Sequence, residues 1–169
     1  MLDLRHNGAS STPFPFVRSS RLSPDVLRVL FVSRRDSLRS VLASACLAHI
    51  GPDRFLPSSC GQPGHVAEAI HPAAIAALDT ARIPVPRHSP QPWTTLWRTG
   101  LPRFDIVVTL DERALNHEPS WPDQPMSALW ALDDVAAMED AEAGARAAMQ
   151  MLYVLQGRLE LLANLPLHR

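Results

Sequence analysis

Residues 26–32 read Val-Leu-Arg-Val-Leu-Phe-Val, and the chain passes from there directly into Ser33-Arg34-Arg35-Asp36-Ser37-Leu38-Arg39-Ser40 and then VLASACLAHIG. A β-branched and aromatic run with almost no polar interruption suits a strand covered on both faces, as in the middle of a parallel sheet. Leu38, Leu42, Ala45 and His49 then recur at helical spacing until Gly51 and Pro52 supply a stop. Buried strand, tight loop and helix in succession form the opening of an α/β domain.

The rest of the chain repeats the alternation less sharply. A short strand is expected at 54–58, a loop at Gly61, Pro63 and Gly64, and a helix opened by Pro72 through AAIAAL. Proline is dense over 84–102, which excludes a long helix or a central strand and predicts an ordered crossover loop pinned by Trp93 and Trp97. The segments 104–110 (FDIVVTL) and 127–132 (SALWAL) read as two further strands of sheet-interior character. Ala145, Ala148, Leu152, Leu155, Leu159 and Leu162 fall on one helical face able to cover the sheet. The expectation is a three-layer α/β/α domain over 26–165, built on a central four-stranded parallel sheet with right-handed crossovers. Ligands in such sheets sit at the carboxyl ends of the strands.

Composition sets bounds on this domain. With 169 residues, 46% of them hydrophobic, one core is expected. Residues 1–25 are rich in Ser, Pro and Arg without an apolar run, and read as a flexible, soluble arm. Sixteen basic against 17 acidic residues give a net charge of -1, which argues against nucleic acid or an anionic membrane as partner. Cys46 and Cys60 are too few for a disulfide framework and stand at no metal-ligand spacing, so a reducing cytoplasm is the expected compartment. The seven histidines are scattered, and neither metal nor cofactor is expected.

The loop 33–40 is where chemistry is expected. A loop between a buried strand and a helix N-terminus aims several backbone N–H groups at one point, and the helix dipole adds positive charge there. Arg39 offers a planar fork to two oxyanion oxygens, and Ser40 a hydrogen bond within the loop. The candidate anion-binding residues are thus Arg34, Arg35, Asp36, Ser37, Leu38, Arg39 and Ser40. Plainer readings stand beside this one: Arg39 paired with a carboxylate, Arg34 and Arg35 as solvated charges, and Asp36 as a group that repels anions.

As Ser-x5-Arg-Ser following the first strand, this loop resembles the Cys-x5-Arg-Ser signature of the low-molecular-weight protein tyrosine phosphatase and thioredoxin-coupled arsenate reductase superfamily. IHPAAIAAL at 70–78, FDIVVTLDE at 104–112 and WALDDV at 130–135 resemble segments of the arsenate reductase branch. The resemblance implies a low-molecular-weight phosphatase-like fold, with Ser33 at the place of the nucleophilic cysteine, Arg39 as oxyanion ligand and Asp134 as general acid. Val135 stands where that family has proline after the acid. Asp133 and Asp134 can equally be read as caps of the following helix. Arg34, Arg35, Asp36 and Leu38 also depart from the family pattern, and Asp111 and Glu118 occupy the positions of the two further redox cysteines. Cys46 and Cys60 match no catalytic position and read as structural.

Three functional readings follow. In the first, thiol catalysis is lost, because a serine hydroxyl is far less acidic than a thiol, while binding of phosphate, arsenate or a phosphoprotein persists. In the second, the chain is a working phosphomonoesterase or arsenate reductase with an unusual nucleophile. In the third, it is a docking or oligomerisation module.

Overall fold

The first strand, β1 (Leu27–Ser33), is buried over nearly its whole length because both of its edges and both of its faces are covered. Alternate side chains leave a strand on opposite sides. Leu27, Val29 and Phe31 therefore enter one apolar cluster, whereas Leu30 and Val32 enter another with Trp93, Phe104 and Trp121. This computed structural model describes residues 26–98, 100 and 103–167; the arm expected at 1–25 lies outside the described residues.

After β1 come α1 (Arg39–Ile50), β2 (Phe55–Gly61), α2 (Pro72–Thr80), α3 (Trp93–Arg98), β3 (Ile106–Thr109), α4 (Glu112–Leu115), β4 (Met126–Leu129), a single 3₁₀ turn (Val135–Ala137) and α5 (Ala141–Asn164). The four strands are parallel throughout, in the order β2-β1-β3-β4. Helices α1, α2 and α5 pack over one face, and α3 and α4 with Trp93 and Trp121 cover the other. The α/β/α layering and four-stranded parallel sheet follow the sequence expectation.

Helix α5 shows why its stretch was readable. Ala148, Leu152, Leu155, Leu159 and Leu162 are buried along one face, with Met151 beside them. Asp140 caps its start by accepting from the amides of Glu142 and Ala143 at 2.9 and 3.4 Å. At the other end the Arg54 guanidinium donates to the carbonyls of Ala163 and Leu165, which lack helical partners. Burial of each such leucine contributes about 1.5–3 kcal/mol.

Several expectations need correction. β2 begins at Phe55 and runs on to Gly61, past the expected end at 58; Pro57 is tolerated inside it because β2 is an edge strand. The proline-rich crossover contains α3, and of its two tryptophans Trp93 is buried whereas Trp97 is 46% exposed. β4 has apolar residues but is the other edge strand, and all four of its residues are exposed rather than interior. His49 is also exposed, in the last turn of α1, where a histidine suits the negative end of the helix dipole. No helix among the described residues is long and apolar enough to cross a membrane.

Candidate functional site

Ser33 is the last residue of β1, and Arg39 and Ser40 open α1, so five residues must turn the chain from strand to helix. Asp36 makes this turn in the left-handed region, with φ of 49°, a conformation that aspartate tolerates better than most residues. Gly61, beside Ser33 in the sheet, leaves the turn its room. A Cβ on Gly61 would lie 3.1 Å from the Arg34 carbonyl oxygen and 3.2 Å from the Asp36 Cβ.

Three carbonyls of the loop are drawn one way. Those of Arg34, Arg35 and Ser37 accept from the amides of Gln62, Ala67 and His71 at 3.0, 3.0 and 2.9 Å. In a trans peptide the N–H of the next residue points opposite to the carbonyl. The amides of Arg35, Asp36 and Leu38 are thereby turned away from segment 62–71, and that of Asp36 donates to Ser33 Oγ at 3.2 Å. Among the described residues, the amides of Arg35, Ser37, Leu38 and Arg39 have no hydrogen-bond acceptor. The space inside the loop is a cavity of about 10 Å³, lined by Ser33, Arg35, Ser37, Leu38 and Arg39 and closed by Asp134 and Ala136.

Side chains beneath the amides form a continuous chain. Ser33 Oγ and Ser40 Oγ are 2.8 Å apart, Ser40 Oγ donates to Asp36 Oδ1 at 2.8 Å, and Asp36 Oδ2 accepts from the Gln91 amide at 2.9 Å. All of Ser33, Asp36 and Ser40 are buried. Burial pushes the Asp36 carboxyl above its ordinary value of 3.8, against the lowering effects of the Gln91 amide, the Ser59 and Ser40 hydroxyls and His88. The Ser59 hydroxyl is near enough to favour the charged carboxylate, although it makes no hydrogen bond of ordinary geometry.

Arg39 turns its guanidinium away from this chain. It donates to Asp111 Oδ2 in a buried ion pair and to the Leu132 carbonyl at 3.0 Å, and Asp134 Oδ2 lies 3.8 Å away. The structure thus brings Arg39 and Asp134 together while placing two carboxylates on the arginine fork. Asp134 precedes the 3₁₀ turn without capping it, and α5 is capped by Asp140 instead. Arg34 is half-buried and lines an open cavity of about 450 Å³ over Arg39 with Asp111, Asp133 and Asp134. Arg35 is exposed.

After β3, the carboxylates of Asp111 and Glu118 are engaged on both oxygens. Asp111 caps α4 by accepting from the Arg113 amide at 2.9 Å, and Glu118 accepts from Thr109 Oγ1 at 2.6 Å and from the Trp121 indole. Neither cysteine is exposed: burial raises Cys46 to about 11 and holds Cys60 well above the ordinary thiol range. Both are therefore thiols rather than thiolates at neutral pH. No group of three or more metal-ligating side chains occurs among the described residues. Sequence reasoning missed Gln91, Ser59, Gly61 and the Leu132 carbonyl. The Gln91 and Leu132 contacts are made by backbone atoms, which carry no residue signature, and only the Cys60-Gly61-Gln62-Pro63-Gly64 run hinted at a close approach.

Residues 28–150 match the model of the low molecular weight phosphotyrosine protein phosphatase family. Among curated proteins, the glutaredoxin arsenate reductase of Synechocystis sp. is 27% identical over 107 residues, covering 63% of this chain and 77% of that protein. Among solved structures, the thioredoxin-dependent arsenate reductase of Corynebacterium glutamicum superposes with a TM-score of 0.62 at 24% identity; the match covers 82% of this chain but spans 60% of that one. The tyrosine phosphatase Wzb from Escherichia coli K30, in complex with sulphate, gives 0.61 at 18% identity over 80% of this chain and 97% of that one. At these identities the structural likenesses speak for the fold.

Proposed function

The chain belongs to the low molecular weight phosphotyrosine protein phosphatase family, and on that premise we propose that it binds phosphate-like oxyanions in the loop 33–40 without the thiol chemistry of its relatives. The observation that carries this reading is that segment 62–71 anchors three loop carbonyls outward while, among the described residues, the amides of Arg35, Ser37, Leu38 and Arg39 have no acceptor. Unfilled donors at a helix N-terminus make an anion seat by both hydrogen bonding and the dipole. Two of the similar proteins carry arsenate in their names and a third was solved with sulphate, which are ligands of this chemistry.

Ser33 stands at the base of the seat, where the family resemblance puts a cysteine, and Asp111 and Glu118 stand where it puts the redox pair. Serine at neutral pH has no thiolate to offer. The inherited thiol and redox steps are lost on this reading, and catalysis is impaired. The enclosed space is close to the room one water needs, so a tetrahedral oxyanion enters by displacing the Asp134 to Ala136 cover. A phosphate group on a protein surface reaches the seat through the open cavity above Arg39. A cytoplasmic location suits the two free thiols.

The test is a thermal-shift titration with phosphate, arsenate and sulfate, alongside arsenate reduction coupled to thioredoxin or glutaredoxin. A saturable rise in melting temperature and no arsenate reduction are expected. No rise with any of the three, or thiol-dependent reduction, contradicts the reading.

A further inference from the structure

The hydroxyl chain beneath the seat has a direction. A serine hydroxyl carries one proton, and that of Ser40 is committed to Asp36 Oδ1. The 2.8 Å bond between the two serines is therefore donated by Ser33. Its proton points toward Ser40, and the Asp36 amide donates to the same oxygen at 3.2 Å. Asp36 is fully buried, with its second oxygen held by the Gln91 amide; of the two hydroxyls beside it, Ser40 and Ser59, Ser40 is the one that hydrogen-bonds to it and continues to Ser33. An asparagine at 36 would reverse this polarity: its amide oxygen would take the Gln91 N–H, and its NH₂ would donate to Ser40 and turn the Ser40 proton toward Ser33.

We propose that Asp36, acting through Ser40, is the proton acceptor that makes Ser33 a nucleophile toward phosphate monoesters bound in the loop. This goes beyond oxyanion binding but rests on it, because the ester must be seated on the loop amides. Ser33 Oγ forms a bond to phosphorus as the bond from phosphorus to the leaving alcohol breaks. The Ser33 proton passes to Ser40 as the Ser40 proton passes to Asp36, and Asp134, on the covering turn, gives the leaving oxygen its proton. Water then attacks the phosphoserine and surrenders a proton to Asp134. The phosphorus bond to Ser33 breaks, and the proton stored on Asp36 returns through Ser40 to Ser33. The products are an alcohol and inorganic phosphate, with no change in oxidation state. Asp36 and Ser40 touch no substrate atom and act as positioning residues for Ser33.

The charged and titratable groups facing Asp36 are His88 from the crossover segment and Cys60 from the end of β2, and both remain in the variants that test the relay. The intact protein is incubated with an aryl phosphate; turnover is followed against pH, acid-quenched samples are mapped for phosphoserine, and phosphate-induced thermal shifts are recorded in parallel. Wild type is expected to turn over slowly, to carry label on Ser33, and to lose rate on the acid side as Asp36 takes up its proton. Asp36→Asn and Ser40→Ala are each expected to reduce turnover by about 100-fold, with the Asp36-dependent acid limb gone in the first. Ser40→Ala supplies the test if Asp36→Asn does not fold.

A phosphate-induced shift without turnover or Ser33 label overturns the relay and leaves the binding reading standing. Turnover unchanged in both variants, or label on another residue, also overturns the relay. Absence of the phosphate-induced shift overturns both readings.

Discussion

The loops after β1 and β3 lie side by side at the carboxyl edge of the sheet, and each places a buried carboxylate close to α1, yet they use their polar groups in opposite ways. After β3, Asp111 divides its oxygens between the Arg113 amide and Arg39, and Glu118 divides its own between Thr109 and Trp121. Both of these carboxylates are satisfied on each oxygen, although the backbone amides of Asp111 and Glu112 have no acceptor among the described residues. After β1, the Asp36 carboxylate is satisfied by Ser40 and Gln91, but four amides above it are left without acceptors. Buried polar groups that satisfy one another stabilise a fold, whereas donors held in place and unfilled await a ligand. The sheet thus carries one structural loop and one receptive loop, joined by the Arg39–Asp111 pair.

Cutting that join is expected to have the largest effect. Arg39→Ala leaves Asp111 buried with its charge uncompensated and is expected to cost about 3–5 kcal/mol in denaturant unfolding. A loss under about 1 kcal/mol would mean that the two loops are energetically independent. Next in size is Glu118→Ala, which strands the Thr109 hydroxyl and the Trp121 indole; a loss of about 1–3 kcal/mol is expected, with the phosphate response unchanged. A lost phosphate response in this variant would move the ligand site toward β3.

A pH series separates the receptive loop from the structural one more finely. A carboxyl whose folded pKa is raised binds its proton more readily in the folded state, so stability falls as pH rises from about the unfolded value through the raised one. Asp36 starts from 3.8 and is raised by burial. Asp36→Asn is therefore expected to gain stability relative to wild type as pH rises from 3.8 through the folded value, and to hold that advantage at neutral pH. A difference that does not vary across this window would show that the carboxylate is not desolvated. Arg35→Ala is expected to change stability least, within about 0.5 kcal/mol, because the side chain is exposed. A larger loss would place Arg35 among the structural groups.

The legibility of the molecule in its sequence follows the same division. β1, α1 and α5 announced themselves because burial on both faces, or on one helical stripe, leaves a periodic record in side-chain type. β4 did not: Met126, Ala128 and Leu129 look like an interior strand, but as part of an edge strand they face outward. The position of the candidate site was legible, since a strand, a loop and a helix N-terminus suffice to locate it. The partner of Arg39 was not, because Asp111 lies 72 residues away and the Leu132 carbonyl 93 away. Nor was the polarity of the Ser33–Ser40–Asp36 chain, which depends on which hydroxyl proton is already committed.

The proposed seat consists of amides that are placed but unfilled, and backbone NMR reads them one by one. In a phosphate titration of the intact protein, the amide resonances of Arg35, Ser37, Leu38 and Arg39 should shift saturably with a common dissociation constant, while those of residues 111–118 shift less. Resonances of the 33–40 loop that stay in place while others move, or that do not respond at any phosphate concentration, would contradict it.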